Sequence, residues 1–274
     1  MAELITSHAN ALPKLIRSLR QHKGRSESGL FLVEGVHHVG EAIQAGWQIE
    51  TLVYAPELLT SEFGLSQVEE LSSKGMHCVA LSGSLFADLA GKDNPQGILA
   101  IIRQRAQTLK DIRVANFNLG AVCISPQDPG NVGTILRTLD AVGGEALFLL
   151  DGGVELFHPS VVRASMGALF WKPVVRTSFS EFVDWARGNG FRLVGSSAHG
   201  STDYRAYRRG GQKTILLLGS EQKGLSADQM AACDVVLSMP MMGRGSSLNL
   251  AVAAGILLYA LMGYRQPDPL SRSR

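Results

Sequence analysis

Three loops of this 274-residue sequence hold the residues best suited to chemistry. The first runs over 125–143 (SPQDPGNVGTILRTLDAVG), the second over 219–226 (GSEQKGLS), the third over 240–255 (PMMGRGSSLNLAVAAG). Each mixes glycine with polar side chains, and each follows a short apolar run that reads as a buried strand: Leu119–Ile124, Thr214–Leu218 and Val235–Met239. Open α/β sheets bind ligands where strands end and loops begin. Gly219, Gly224, Gly243 and Gly245 let backbone turn tightly and approach a ligand closely. Asn131 reads as the N-cap of a helix, and Ser247 and Asn249 fall at the start of another, where free N–H groups collect.

The standard alternatives fail on residue identity. GxGxxG and GxSxG are absent, which disfavours a dinucleotide turn and a nucleophile elbow. Gly219 and Gly224 have P-loop spacing, but Leu225 stands where the lysine would be. Cys78, Cys123 and Cys233 are far apart with no CxxC, which fits a reducing, cytoplasmic setting and no disulfide framework. His37–His38 has no partners in sequence, so no metal site is expected. The N-terminal residues lack the continuous apolar core of a signal peptide. Leu250–Gly263 is apolar over fourteen residues, short of the about 20 a membrane span needs, and reads as a buried helix.

The elements that would position these loops alternate. Strand candidates at Gly29–Glu34, Ile49–Tyr54, Met76–Leu81 and Gly97–Arg103 are interleaved with helices at Val36–Ala45, Gln67–Lys74 and Ser84–Ala90. Beyond a polar stretch come helices at Asn131–Val142, Ser160–Ala168, Ser180–Asn189 and Ser247–Met262 between strands. Such alternation implies an α/β fold with a mostly parallel sheet covered on both faces. The expected domains are 1–104 with a basic N-terminal arm, a linker at 105–117, and 118–274.

Taken together, Asn131-Val-Gly133-Thr-Ile-Leu-Arg137, Gly219-Ser-Glu221-Gln-Lys-Gly224-Leu225 and Met239-Pro-Met-Met-Gly243 followed by Ser247-Leu-Asn249-Leu250 resemble the three signature motifs of the SpoU/TrmH family of RNA 2′-O-ribose methyltransferases, members of the SPOUT superfamily. Arg163-Ala-Ser165-Met-Gly167-Ala168 matches a family stretch between the first two. Phe31-Leu-Val-Glu34-Gly35 and Asn94-Pro-Gln96-Gly97-Ile98 resemble, more loosely, the L30e-like substrate-binding domain common in the family. Departures are apolar: the family usually has isoleucine at Met239, valine at Leu250 and a smaller residue at Leu139.

The resemblance implies S-adenosylmethionine as methyl donor, a ribose 2′-OH of ribosomal or transfer RNA as acceptor, a C-terminal trefoil knot, and a homodimer with the last helix and the first-motif helix near its interface. It maps cofactor contacts onto Gly219, Met239 and Leu248, with Leu225, Gly224 and Gly243 around them. It makes Arg137 the key catalytic residue, either as a guanidinium gripping the phosphate beside the target ribose or as a general base, which its high ordinary pKa opposes. Ser247 and Asn249 would orient the hydroxyl, Asn131 would serve cap and site, and Glu221 would anchor loops or pair with an arginine. Asp128 reads as a turn residue; Ser165 suits RNA contact or helix packing equally. A non-catalytic RNA-binding protein and a base methyltransferase are the competing functions; the intact polar motif residues and Ser247-Leu-Asn249 oppose them.

The net charge of +2 hides a pattern. Residues 1–26 carry five basic groups against one acid, residues 27–102 two against ten, and residues 103–274 nineteen against thirteen. RNA contact would be largely electrostatic. Its candidates are Lys14, Arg17 and Arg25 in the arm, Arg105 in the linker, and Arg208 and Arg209.

Overall fold

The computed structural model describes residues 4–91, 93–245 and 247–262. They fall into two units, one of the described residues up to 106 together with 155–171, the other of 107–154 together with those from 172 onward.

The first unit opens with β1 (Leu4–Ile5), α1 (Ala11–Leu19), α2 (His22–Ser28), β2 (Leu30–Glu34) and α3 (Val36–Gln44). It continues with β3 (Ile49–Tyr54), α4 (Glu62–Ser73), β4 (Cys78–Leu81), α5 (Gly83–Leu89) and β5 (Ile98–Arg103). The sheet order is β1-β4-β3-β5-β2, and β5 runs antiparallel to both its neighbours, so this sheet is mixed. The expected basic arm is two helices. Asn10 caps α1 by accepting from the Leu12 N–H at 2.9 Å, and Pro13, Ile16 and Leu19 turn one face inward. Lys14 and Arg17 are left on the outer face. Helix α4 starts five residues earlier than the apolar pattern suggests because Ser61 caps it.

The second unit follows with β6 (Leu119–Ile124), α6 (Pro129–Ala141) and β7 (Ala146–Leu150). The chain then re-enters the first unit with α7 (Pro159–Ala164) and α8 (Ala168–Trp171). It returns through β8 (Val174–Thr177), α9 (Phe179–Gly188), β9 (Arg192–Ser196), β10 (Thr202–Asp203), β11 (Thr214–Leu218), α10 (Ala227–Ala231), β12 (Val235–Ser238) and α11 (Leu250–Met262). Its seven strands, ordered β10-β12-β9-β11-β6-β7-β8, pair in parallel throughout. Every residue of β6, β7 and β11 is buried, as central parallel strands require.

Two expected boundaries shift. Residues 155–171, expected in the 118–274 domain, pack within the first unit. There the Phe157 ring packs tilted against Phe31, with centroids 4.6 Å apart, and the Trp47 indole N–H donates to the Phe170 carbonyl at 3.0 Å. His37 and His38 reach the carbonyls of Met166 and Arg163, each at 3.2 Å. Residues 107–117, expected as linker, belong to the second unit. Ile112 and Phe117 are buried in its core, and the Gln107 amide oxygen accepts from the Val174 N–H at 2.9 Å.

Candidate cofactor pocket

Strand β6 ends at Ile124, and the chain turns through Ser125, a non-glycine residue at φ 45°, towards α6. Asp128 is the N-cap, accepting from the Gly130 N–H at 2.6 Å, and Pro129 takes the first helical position. Asn131, expected as the cap, lies inside the first turn instead and is 8% exposed. Its amide is fully directed: Nδ2 donates to Glu221 Oε1 at 3.3 Å, and Oδ1 accepts from Asn249 Nδ2 at 2.9 Å.

Asn249 passes the chain on. Its Oδ1 accepts from the N–H groups of Ala251 and Val252 at 2.9 and 3.2 Å, which makes it the cap of α11. The last helix therefore starts three residues later than expected, and Ser247 precedes it. Glu221 accepts from the Gln127 N–H at 3.0 Å and the Asp128 N–H at 3.3 Å as well as from Asn131. Of its two candidate roles it takes the loop anchor. One carboxylate and two amides thus tie all three motif loops together.

The second loop closes on itself. The Gly224 N–H donates to the Ser220 carbonyl at 2.8 Å, and the Lys223 N–H to Ser220 Oγ at 3.2 Å. Gly224 sits at φ +65°, where a side chain strains the backbone. A Cβ on Gly219 would stand 2.1 Å from the Gly224 carbonyl carbon, so only glycine permits this closure.

Around these loops opens a cavity of about 590 Å³ at the carboxyl ends of β9, β11 and β12. Of the expected residues, Asn131, Gly219, Glu221, Gly224, Met239, Ser247, Leu248 and Asn249 line it. Three others do not. Leu225 is 6% exposed, and its side chain packs into the core. Gly243 lies in an exposed stretch where a Cβ would meet nothing within 4 Å, so its backbone needs no glycine. Arg137 is exposed on α6; six residues past Asn131, it lies about 9 Å along the axis and about 240° round it. Lys223, Met241 and a fourth loop, Ser196–Ser197–Ala198–His199 after β9, also line the cavity and were missed. Their signal was present: a polar, glycine-ended exit from a predicted strand.

Burial, with the Glu221 charge adding, pushes the Cys123 thiol up to about 12, which keeps it protonated and inert at neutral pH.

The basic candidates sort by exposure. Lys14 and Arg17 face outward, Arg17 beside His8. Arg25 does not: it is 1% exposed, its guanidinium donates to both oxygens of Glu155 at 2.7 and 2.6 Å and to the Leu19 carbonyl at 2.8 Å. A buried, bidentate arginine holds the first unit together and cannot grip RNA. Arg105 is exposed and lies over the Trp47 ring at 4.7 Å. Arg208 is exposed and donates to the Arg205 carbonyl at 2.6 Å, whereas Arg209 is half-buried and donates to the Asn118 carbonyl at 2.5 Å. Arg205 clasps Asp203 through both oxygens and lowers its carboxyl pKa to about 2. Ser165, weighed for RNA contact, is fully buried and donates to the Val162 carbonyl at 2.8 Å.

Among the described residues no group of three His, Cys, Asp or Glu side chains could hold a metal ion, and no helix is long and apolar enough to cross a membrane.

Comparison with known proteins agrees with this geometry. Residues 118–259 match the model of the SpoU rRNA Methylase family, and residues 10–100 match the MRM3-like substrate binding domain. A 23S rRNA (uridine(2479)-2'-O)-methyltransferase of Streptomyces viridochromogenes is 33% identical, with 96% of this chain and 93% of the relative covered. The 23S rRNA (guanosine(2553)-2'-O)-methyltransferase RlmP of Bacillus subtilis is 30% identical, covering 94% of this chain and 99% of the relative. The crystal structure of an AdoMet-bound rRNA methyltransferase from Sinorhizobium meliloti superposes with a TM-score of 0.86 at 34% identity, covering 94% of this chain and 97% of the other.

Proposed function

The chain belongs to the SpoU rRNA Methylase family, and from that premise we propose that it transfers a methyl group from S-adenosylmethionine to a ribose 2′-OH of structured RNA, with ribosomal RNA the favoured substrate. The observation that carries the reading is the Glu221–Asn131–Asn249 network, which gathers three separate loops round one cavity.

The residues present fit the cofactor. The volume suits a ligand of that size, Gly219 permits the tight closure of the second loop that borders the cavity, and Met239 and Leu248 supply apolar wall. Main-chain groups at Gly219, Met239 and Leu248 would hold the adenosine end. The cofactor supplies an electrophilic methyl on a good leaving group, so the protein's work is alignment and proton removal. Ser247, at the cavity edge, and Asn249 are placed to orient the incoming hydroxyl. The Arg137 guanidinium holds the phosphate beside the target ribose through charge-assisted hydrogen bonds.

A homodimer gives Arg137 its place. Val252, Ile256 and Tyr259 leave an apolar stripe exposed on α11, which packs along α6. A partner seated on that stripe brings a second cavity to the outer side of α6, where Arg137 points. The second and third loops form a trefoil knot in this reading, residues 10–100 form an L30e-like unit that engages RNA through Lys14, Arg17 and Arg105, and Arg208 adds to the catalytic unit's contact. The bacterial relatives support a cytoplasmic setting.

The test is Arg137→Ala assayed on ribosomal RNA. Methylation should fall at least about a hundredfold, the range set by loss of a positioning group, while S-adenosylhomocysteine binding stays at the wild-type value. Normal methylation by this variant would remove Arg137 from the mechanism.

A further inference from the structure

We propose that Lys223 binds the α-carboxylate of S-adenosylmethionine, so that the second loop reads the amino-acid end of the cofactor. The inference rests on the reading of the cavity as the S-adenosylmethionine site. That ligand carries a carboxylate, an ammonium and a sulfonium, and a carboxylate leaving water needs a charge-assisted donor.

The cavity lining offers few charges. Among the described residues that line it, Glu221 and Lys223 are the only acidic or basic side chains apart from His199. Glu221 cannot receive a carboxylate, and its oxygens already accept from Gln127, Asp128 and Asn131. Lys223 is differently placed. Its backbone is pinned by the turn through Ser220, yet its ammonium makes no hydrogen bond or ion pair among the described residues. A fixed backbone carrying a free cation at a cavity wall is a donor waiting for an anion. The four-carbon stem lets three donors swing over the cavity mouth. The closed Ser220–Gly224 turn that places Lys223 is the one Gly219 alone permits, so the position of this cation depends on that glycine.

Two ligands separate this role from others. S-adenosylhomocysteine has the amino-acid end; 5′-methylthioadenosine keeps the adenosine and sulfur but lacks it. Titration calorimetry of the full chain should show Lys223→Met, which keeps the stem and removes the charge, weakening S-adenosylhomocysteine binding roughly tenfold, as expected for one partly screened charge-assisted contact. Binding of 5′-methylthioadenosine should not change, and Lys223→Arg should keep most of the S-adenosylhomocysteine affinity. Equal weakening of both ligands would mean a distorted loop and overturn the proposal. So would unchanged S-adenosylhomocysteine binding, including the case where Lys223→Met weakens only a ribosomal RNA fragment, which would assign the lysine to phosphate. Wild-type protein that binds neither nucleoside would remove the premise, and the proposal with it.

Discussion

Glu155 in the first unit and Glu221 in the second both tie a loop to a helix, and they do it by opposite means. Glu155 accepts two hydrogen bonds from a guanidinium that is 1% exposed, at 2.7 and 2.6 Å. Glu221 stands at an open cavity rim and accepts from two backbone N–H groups and one amide at 3.0 to 3.3 Å. Ion pairing inside protein is costly to break, because the surviving charge stays buried. Hydrogen bonds from neutral donors at a wet rim are individually cheap and let loops settle around a ligand. The first arrangement suits a scaffold and the second suits a site, although both begin with a glutamate in a loop.

The strongest way to break the comparison is to remove the scaffold's cation. Arg25→Ala should cost about 3–5 kcal/mol in denaturant unfolding of the first unit, the range for a buried pair that loses one partner. The apolar double replacement Arg25→Met with Glu155→Leu should recover most of that loss, because no lone charge is left behind. If Arg25→Ala costs less than about 1 kcal/mol, the value typical of a surface pair, the arginine is not the scaffold element its burial indicates.

The rim carboxylate should respond in the other direction. Glu221→Ala is expected to lose less stability than Arg25→Ala but to weaken S-adenosylhomocysteine binding about tenfold, since three hydrogen bonds that align the loops disappear together. Calorimetry and a thermal melt on the same sample decide it. A variant that melts as early as Arg25→Ala while binding normally would erase the distinction between site and scaffold.

This contrast also marks what the sequence could tell. Leu119–Ile124 and Thr214–Leu218 stand at the bounds their sequence predicts, because a strand buried on both faces must be an unbroken apolar run. The three loops are legible as an ordered set of motifs more than as single residues, since glycine and polar groups fill ordinary turns too; of the glycines, Gly219 proves to be sterically obligatory. Arg25, an RNA-contact candidate by sequence alongside Lys14 and Arg17, is buried in the structure. Its partner lies 130 residues away, and no local pattern separates a buried arginine from an exposed one eight residues earlier. Leu225 failed for the same reason: an apolar motif residue fits a ligand wall or a core equally well until the turn geometry is known. Residues 155–171 follow a strand of the catalytic sheet in sequence, yet their aromatic groups find Phe31 and Trp47, a choice made by long-range packing.

The smallest expected effect sharpens the scaffold side of the comparison. His158 caps α7 by accepting from the Ser160 N–H at 3.1 Å through Nδ1, a bond that requires that nitrogen to be unprotonated. Burial holds its pKa below the ordinary 6.5, and the Arg25 charge lowers it further, with Glu155 partly opposing. Between the depressed folded value and 6.5 the unfolded chain binds more protons than the folded one. Stability of the first unit therefore falls as pH drops from 6.5 towards the folded value, and this group's share is constant above that window. In Arg25→Met the second cause is gone and the first remains, so the His158 pKa should rise without reaching 6.5 and the window should narrow. An NMR titration of the His158 ring in both proteins measures this directly. A wild-type value at or above 6.5, or one that does not move when the guanidinium is removed, would show that the buried charge at Arg25 is not felt across the scaffold.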